Sequence, residues 1–319
     1  MLPNGRRLGA HLPLGAGMVR AADRAAVIGA SAIQVFSDNP TSWRRRPALP
    51  AELPAFRERL ADHDVAPLAI HAPYLVNLAG PEHAFFERSV EVLANELRVA
   101  EAYGARFVNV HIGSHRGEGP EAGAVRLAQG VREVRRRLDG AAAGVTLVLE
   151  NGSGGGFGLG STIEELQLIG QAAEAAGVDR ERLGFCLDTA HLWGAGYPIG
   201  TAAGVDEMLA AFDRALGIGR LSMVHLNDSR SECGSRADRH EHIGAGRIGV
   251  DGLHRMLAHP GLDGVAYFLE TPGMDAGYDE VNLRRVQDIA AGRPLAPLPP
   301  EAFHVRSSRS RSAPAEEPA

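Results

Sequence analysis

The sequence predicts a (β/α)₈ barrel, and three observations carry the prediction. Short apolar segments recur along the chain, most of them rich in Val, Ile, Leu or Phe and without clean polar alternation. Parallel strands buried on both faces have that composition. Between them lie helical patterns such as "FFERSVEVLANELRVAEAYG", with apolar spacings of three and four and a glycine near the end. The segments end about 25 to 45 residues apart, the length of a βα unit.

In chain order the predicted strands are "RRLGAHL", "AIQVF", "PLAIH", "FVNVH", "TLVLE", "GFCLD", "LSMVHL" and "VAYFLE". They end on or beside His11, Phe36, His71, His111, Glu150, Asp188, His225 and Glu270. Eight such units occupy residues 1–290 as one barrel domain. A doubly wound sheet is the alternative, but no GxGxxG fingerprint follows the first strand. Near residue 291 the composition turns to Pro, Ser, Arg and Ala, and residues 291–319 read as a flexible tail.

Apolar content of 45% and charged content of 23% are those of a soluble globular protein. The two cysteines, Cys186 and Cys233, make neither a disulfide framework nor a structural zinc site, so a reducing, cytoplasmic setting is expected. No secretory signal is read at the N-terminus, and no apolar stretch approaches the ~20 residues that span a bilayer. The net charge of −6 argues against a nucleic-acid partner. Against that, every basic residue is arginine, the side chain best suited to bidentate phosphate contacts.

In a (β/α)₈ barrel the C-terminal strand ends converge on one mouth, where active sites sit. The third to eighth strands finish on or beside His71, His111, Glu150, Asp188, His225 and Glu270. Singly, a strand-end histidine is more often a hydrogen-bonded structural residue. Six ligand-type residues in succession are not explained by packing, because each would be partly buried and would need a partner. Histidines with carboxylates suit zinc or a similar divalent ion.

Three further candidates lie in loops. His191 follows Asp188 in "LDTAH", and Asp238 and His240 form an Asp-x-His pair in "GSRADRHEHIG". An extended segment brings both members of such a pair to one ion, whereas the plain alternative is a solvated surface loop. Asn227, Asp228 and Ser229 extend the polar strand end towards it. Nine candidates exceed the needs of one zinc and fit two or three ions sharing carboxylates. Clustered ions of that kind, roughly 3.5–4 Å apart, are typical of phosphoester hydrolysis and require no serine or cysteine nucleophile. "NGSGGGFGLGST" lacks the lysine of a P-loop and reads as a flexible loop. "LDTAH" itself can be one site, two sites or a capped helix start, with the cap as the lesser alternative.

The segments "GAHLPLGAGM", "IQVFSDNPTSW", "IHAPYLVNLA", "VNVHIGSH", "LVLENGSGGG", "FCLDTAHLWGAGY", "VHLNDS", "GSRADRHEHIGAGRIG" and "FLETPG" together resemble the endonuclease IV (deoxyribonuclease IV) family of apurinic/apyrimidinic endonucleases. The resemblance runs in order from about residue 8 to 290. It implies a TIM barrel with three zinc ions, manganese being possible at one of them. The implied reaction is hydrolysis of the DNA phosphodiester 5′ to an abasic site, leaving a 3′-hydroxyl and a 5′-deoxyribose phosphate, in base excision repair.

Carried over by position, His71, His111 and Glu150 would hold the first ion. Glu150 would bridge to the second and activate water, with Asp188, His225 and Glu270 completing that site. His191, Asp238 and His240 would hold the third, so "LDTAH" would join two halves of one centre. Tyr74 and Leu75 take the places of the pair that enters the abasic gap, and Arg239 is placed for a phosphate contact. Thr41 stands where well-known members carry an arginine two residues before the Trp, with Arg44, Arg45 and Arg46 just beyond Trp43. Three divalent ions would offset the charge of −6 and concentrate positive field at the mouth. A monomer acting on double-stranded DNA, with cytoplasmic, nucleoid-associated activity, is expected. The competing function is a metal-dependent sugar isomerase or epimerase on a related barrel, which would have no use for the His191, Asp238 and His240 trio. A catalytically silent damage-sensing protein would have no use for nine ligands.

Overall fold

The computed structural model describes residues 1–305. Strands β1 (Leu8–His11), β2 (Ala32–Val35), β3 (Leu68–His71), β4 (Phe107–His111), β5 (Thr146–Glu150), β6 (Leu183–Asp188), β7 (Leu221–His225) and β10 (Ala266–Leu269) close into a parallel barrel. Each pairs with its neighbours in sequence order, and β10 pairs with β1 to seal it. A two-residue antiparallel ladder of β8 (Asp228–Ser229) and β9 (His240–Glu241) stands in the loop after β7. The predicted strands are all present. β10 stops one residue short of Glu270, which begins the following loop.

Outside the barrel run α1 (Met18–Val27), α2 (Leu53–Asp62), α3 (His83–Tyr103), α4 (Pro120–Leu138), α5 (Ile163–Ala175), α6 (Thr189–Ala195), α7 (Ala202–Leu216), α8 (Gly249–Ala258) and α9 (Tyr278–Ala290). Helix α3 shows why such segments coil. Val90, Leu93, Leu97 and Ala100 recur at spacings of three and four and are all buried, and Gly104 ends the helix at φ 72°. Only glycine adopts that left-handed conformation cheaply.

Because side chains alternate across a strand, every second residue faces the barrel axis. Ala32, Ala69, Phe107, Val148, Cys186, Met223, Ala266 and Phe268 form a separate buried cluster that plugs the interior. Two residues further along each strand stand Gln34, His71, Asn109, Glu150, Asp188, His225 and Glu270. The same alternation that packs the plug therefore lifts one polar layer above it, at the C-terminal mouth.

Residues 292–305 correct the expectation that the tail begins at residue 291. Arg285 Nη1 donates to the Ala296 carbonyl (2.6 Å) and His242 Nε2–H to that of Ala302 (2.9 Å), while Leu295 packs against the core. Buried donors thus satisfy carbonyls that composition alone leaves unassigned. Residues 306–319, including the Arg/Ser run, lie outside the described residues. No helix among the described residues is long and apolar enough to cross a membrane.

Candidate metal centre

All nine predicted residues meet at the mouth. Ligand atoms of His71, His111 and Glu150 lie within 4.8 Å of one another, as do those of Glu150, Asp188, His225 and Glu270, and those of Asp188, His191 and His240. Glu150 and Asp188 each belong to two groups. Asp238 joins the last, its Oδ2 3.2 Å from His191 Nε2 and its Oδ1 3.1 Å from His240 Nε2. The Asp-x-His pair reaches one point because His240 lies in the β8–β9 ladder, where the backbone is extended.

The histidines are turned by hydrogen bonds on their far sides. His71 Nδ1–H donates to the Ala72 carbonyl (2.7 Å), His191 Nδ1–H to Asn151 (2.9 Å) and His240 Nδ1–H to Glu270 (2.8 Å). Each of these rings therefore presents Nε2 to the cluster. His225 is reversed: its Nε2–H donates to Gln34 Oε1 (3.0 Å), so Nδ1 faces Glu150 Oε1 at 3.3 Å. Such partners fix tautomer and ring direction in metal sites.

The carboxylates are held in the same way. Asn109 Nδ2 donates to Glu150 Oε2 (2.6 Å), Asn227 Nδ2 to Asp188 Oδ2 (2.8 Å) and Gln34 Nε2 to Glu270 Oε1 (2.9 Å). What is left over is informative. His71 Nε2, Glu150 Oε1, His225 Nδ1 and His240 Nε2 are buried and have no hydrogen-bond partner among the described residues. An unsatisfied buried polar atom costs about 1–3 kcal/mol. With the histidines neutral, each of the four offers a lone pair to the cluster, and a divalent cation removes that cost, so the donor set fits metal.

Electrostatics point the same way. Burial alone would raise the Glu150 carboxyl, but the charges of His111 and His225 outweigh it and hold it well below the usual range. Glu270 is likewise lowered, mainly by His225, against its burial. Burial disfavours charge on His225, yet its neighbours hold the imidazole well above the ordinary value. Among those neighbours, burial pushes the Cys186 thiol up to about 12, so near neutrality it is uncharged. The attraction comes from Glu270 and Glu150.

"LDTAH" is a capped helix start and a candidate ligand segment at once, so the cap is not the lesser alternative. Asp188 Oδ1 accepts the His191 backbone N–H (2.9 Å) as the N-cap of α6, while Oδ2 lies 3.5 Å from His240 Nε2. A carboxylate has two oxygens, and each serves one role. Asp228, by contrast, is spent on the backbone N–H groups of Ser229, Gly246 and Ile248 and braces the loop.

Sequence reasoning missed Gln34, Asn109 and His11. His11 is buried, with Nδ1 accepting from Gln34 Nε2 (3.1 Å) and lying 3.4 Å from Glu270. The signal was present: all three occupy the inward row that carries the ligands. Asn109, two residues before His111, could have been found by period alone.

On the rim, Tyr74 is 36% exposed, its ring 5.4 Å from Phe36 and its N–H bonded to the Pro40 carbonyl (3.1 Å). Leu75 is half-buried. Arg239 is exposed and has no ion pair among the described residues. Thr41 is folded into a turn, its N–H and hydroxyl both donating to Asn39 Oδ1 (2.9 Å each). Of the arginines beyond Trp43, Arg45 is engaged with Glu96 (3.1 Å) and Arg46 with Asp38 (3.4 Å), leaving Arg44 exposed.

Fold and site define the class first: a parallel barrel with clustered His, Asp and Glu side chains able to hold metal at its C-terminal mouth. The family model described as a xylose isomerase-like TIM barrel matches residues 22–292. A "Probable endonuclease 4" of Methanoculleus marisnigri is 38% identical over 283 residues, covering 89% of this chain and 98% of the relative. One from Solibacter usitatus is 39% identical over 297 residues, covering 92% and 99%. The crystal structure of endonuclease IV from Thermus thermophilus superposes with a TM-score of 0.77 at 38% identity, covering 90% of this chain and 99% of that one. The chain belongs to the endonuclease IV family. A D-tagatose 3-epimerase-like protein, at 20% identity and a TM-score of 0.65 over 90% of this chain and 99% of that one, shares the fold.

Proposed function

We propose that this protein is a zinc-dependent apurinic/apyrimidinic endonuclease acting in base excision repair. It hydrolyses the phosphodiester 5′ to an abasic site in duplex DNA and leaves a 3′-hydroxyl and a 5′-deoxyribose phosphate. The observation that carries the proposal is the set of four buried nitrogen and oxygen atoms without hydrogen-bond partners among the described residues, where nine candidate ligand residues converge. Membership of the endonuclease IV family supplies the reaction class, and the relatives' name supports DNA as the substrate.

His71, His111 and Glu150 would hold one zinc ion, Glu150, Asp188, His225 and Glu270 a second, and His191, Asp238 and His240 a third, with manganese able to replace one of them. Bound zinc supplies Lewis acidity towards water and phosphate oxygens, which makes a hydroxide nucleophile available near neutral pH. Glu150 stays ionised, and with Oε2 held by Asn109 it would serve two ions as a ligand and so help to activate the attacking water. The buried plug below the ligand layer keeps bulk water from entering through the barrel. Tyr74 and Leu75 would fill the gap left by the missing base, and Arg239 would contact a phosphate. Residues 1–290 form the catalytic unit, working as a monomer in the cytoplasm on nucleoid DNA.

The test is incision of a duplex carrying one synthetic abasic site, with both new termini identified. Cleavage 5′ to the site, lost on prolonged chelation and restored by zinc, is expected. Metal-dependent turnover of a ketose without incision would replace this function by the isomerase or epimerase alternative. Asp238 within 3.2 Å of both His191 and His240 counts against that alternative, because a one- or two-ion isomerase leaves the trio without purpose.

A further inference from the structure

Phe157 presents its ring 59% exposed, more than Tyr74 on the same rim. It sits in the glycine-rich loop after β5, where Gly154, Gly156 and Gly160 all adopt positive φ. Its backbone is nonetheless fixed. The Phe157 carbonyl accepts from the His115 N–H (3.1 Å) and Ser114 Oγ (2.9 Å), Ser114 and Gly158 form an isolated bridge, and Leu159 N–H bonds to Gly113 (2.9 Å). The ring meets His115 at 5.7 Å between centroids. A single exposed apolar side chain needs no explanation by itself. Here the surroundings supply one.

The loops around it are stitched together. Asn77, two residues beyond Leu75, accepts from Ser114 N–H (3.1 Å) and donates to its carbonyl (3.0 Å). On the other side, a Cβ placed on Gly154 would lie 3.7 Å from Arg236 Cγ. A Cβ on Gly117, next to Arg116, would lie 3.8 Å from Phe157 Cζ, so Arg116 and Arg236 both border the loop that carries Phe157. Both are exposed, both are held at positive φ (54° and 58°), and neither has an ion pair among the described residues. Aromatic rings interleaved with unpaired arginines bind unpaired nucleotides: the ring stacks on a base while the guanidinium groups meet the flanking phosphates.

We infer that Phe157, flanked by Arg116 and Arg236, is a stacking platform for an unpaired nucleobase of the bound DNA. In a duplex the base faces are covered by their neighbours, so a ring on the rim reaches only a base freed from the stack. The inference rests on the proposed action on abasic DNA, where the base opposite the lesion has lost its partner.

The test uses the zinc-loaded full chain with two probes, a single-stranded oligothymidylate and a duplex with one abasic site. Phe157→Ala is expected to weaken binding of both about ten-fold, with zinc content and melting temperature unchanged. The salt dependence of binding should keep its slope, whereas Arg116→Ala or Arg236→Ala should each lower the slope by about one. Phe157→Trp should retain affinity, and the emission of the added tryptophan should be quenched by oligothymidylate. Wild-type affinity of Phe157→Ala for both probes, or unquenched emission on saturation, overturns the platform. The proposed function fails separately: quenching by oligothymidylate without incision of the abasic duplex would remove the endonuclease assignment and keep the platform.

Discussion

Gln34 and His225 meet across the barrel interior, Gln34 Oε1 accepting the imidazole Nε2–H at 3.0 Å. This contact turns Nδ1, not Nε2, towards Glu150 and Glu270, at 3.3 and 3.7 Å. The same amide donates to Glu270 Oε1, so one neutral side chain sets the direction of two candidate ligands.

Gln34→Ala should weaken one metal site by about 10- to 100-fold while the other two load normally. Titration of metal-free protein with zinc against a chromophoric chelator measures this. Histidine ¹⁵N shifts should show His225 losing its fixed tautomer. Unchanged affinity at every site with an unchanged tautomer would remove the orienting role of Gln34.

Glu150→Gln should lower incision by more than about 100-fold, beyond what loss of an outer-shell partner costs. The barrel should persist, since Asn109 can still donate to the amide oxygen. Circular dichroism and a steady-state assay together check this. Full activity of the folded variant would show that Glu150 has no part in activating water.

The metal-free protein should release protons on binding zinc. Glu270 and Glu150 raise the proton affinity of His225, so zinc, which needs the neutral imidazole, should displace a proton from it at pH values above the ordinary imidazole value. The sign for stability follows. A raised group contributes fully below its unfolded value, about 6.5, and the contribution is lost as pH rises through the higher folded value. The melting temperature of the metal-free protein should therefore fall on the alkaline side. Glu150 is lowered, so its contribution is present above the usual carboxylate value and disappears only in acid. Calorimetry in buffers of differing ionisation enthalpy counts the protons. No release at any pH above the ordinary imidazole value would contradict a raised His225.

Ending the chain at residue 291 should lower the melting temperature. It removes the carbonyls of Ala302 and Ala296 from the buried donors His242 and Arg285. Each orphaned donor costs up to roughly 1–3 kcal/mol. An unchanged melting temperature would show that this segment does not brace the barrel.

Much of the site was legible because strand alternation is rigid. A candidate ligand at one inward position fixes which residues share its row, so His71, Glu150 and Asp188 could be set in one layer before any coordinates. Gln34 lay in that row but is a neutral amide, and its partners belong to strands far away in sequence. Asp238 was legible from its Asp-x-His spacing to His240, but the path of its loop, set by the β8–β9 ladder and by backbone bonds to Asp228, was not. The two roles of Asp188 were separable only when each oxygen had its own partner. At residue 291 the proline-rich composition concealed packing that depends on Arg285 and His242.

The measurement closest to the central claim is a zinc titration of the metal-free protein, followed by incision of a duplex with one abasic site. If nine residues form one trinuclear centre for phosphodiester hydrolysis, incision should be absent without metal and level off near about three equivalents of zinc per chain. Incision that survives complete chelation, or that is already maximal at one equivalent, would contradict it.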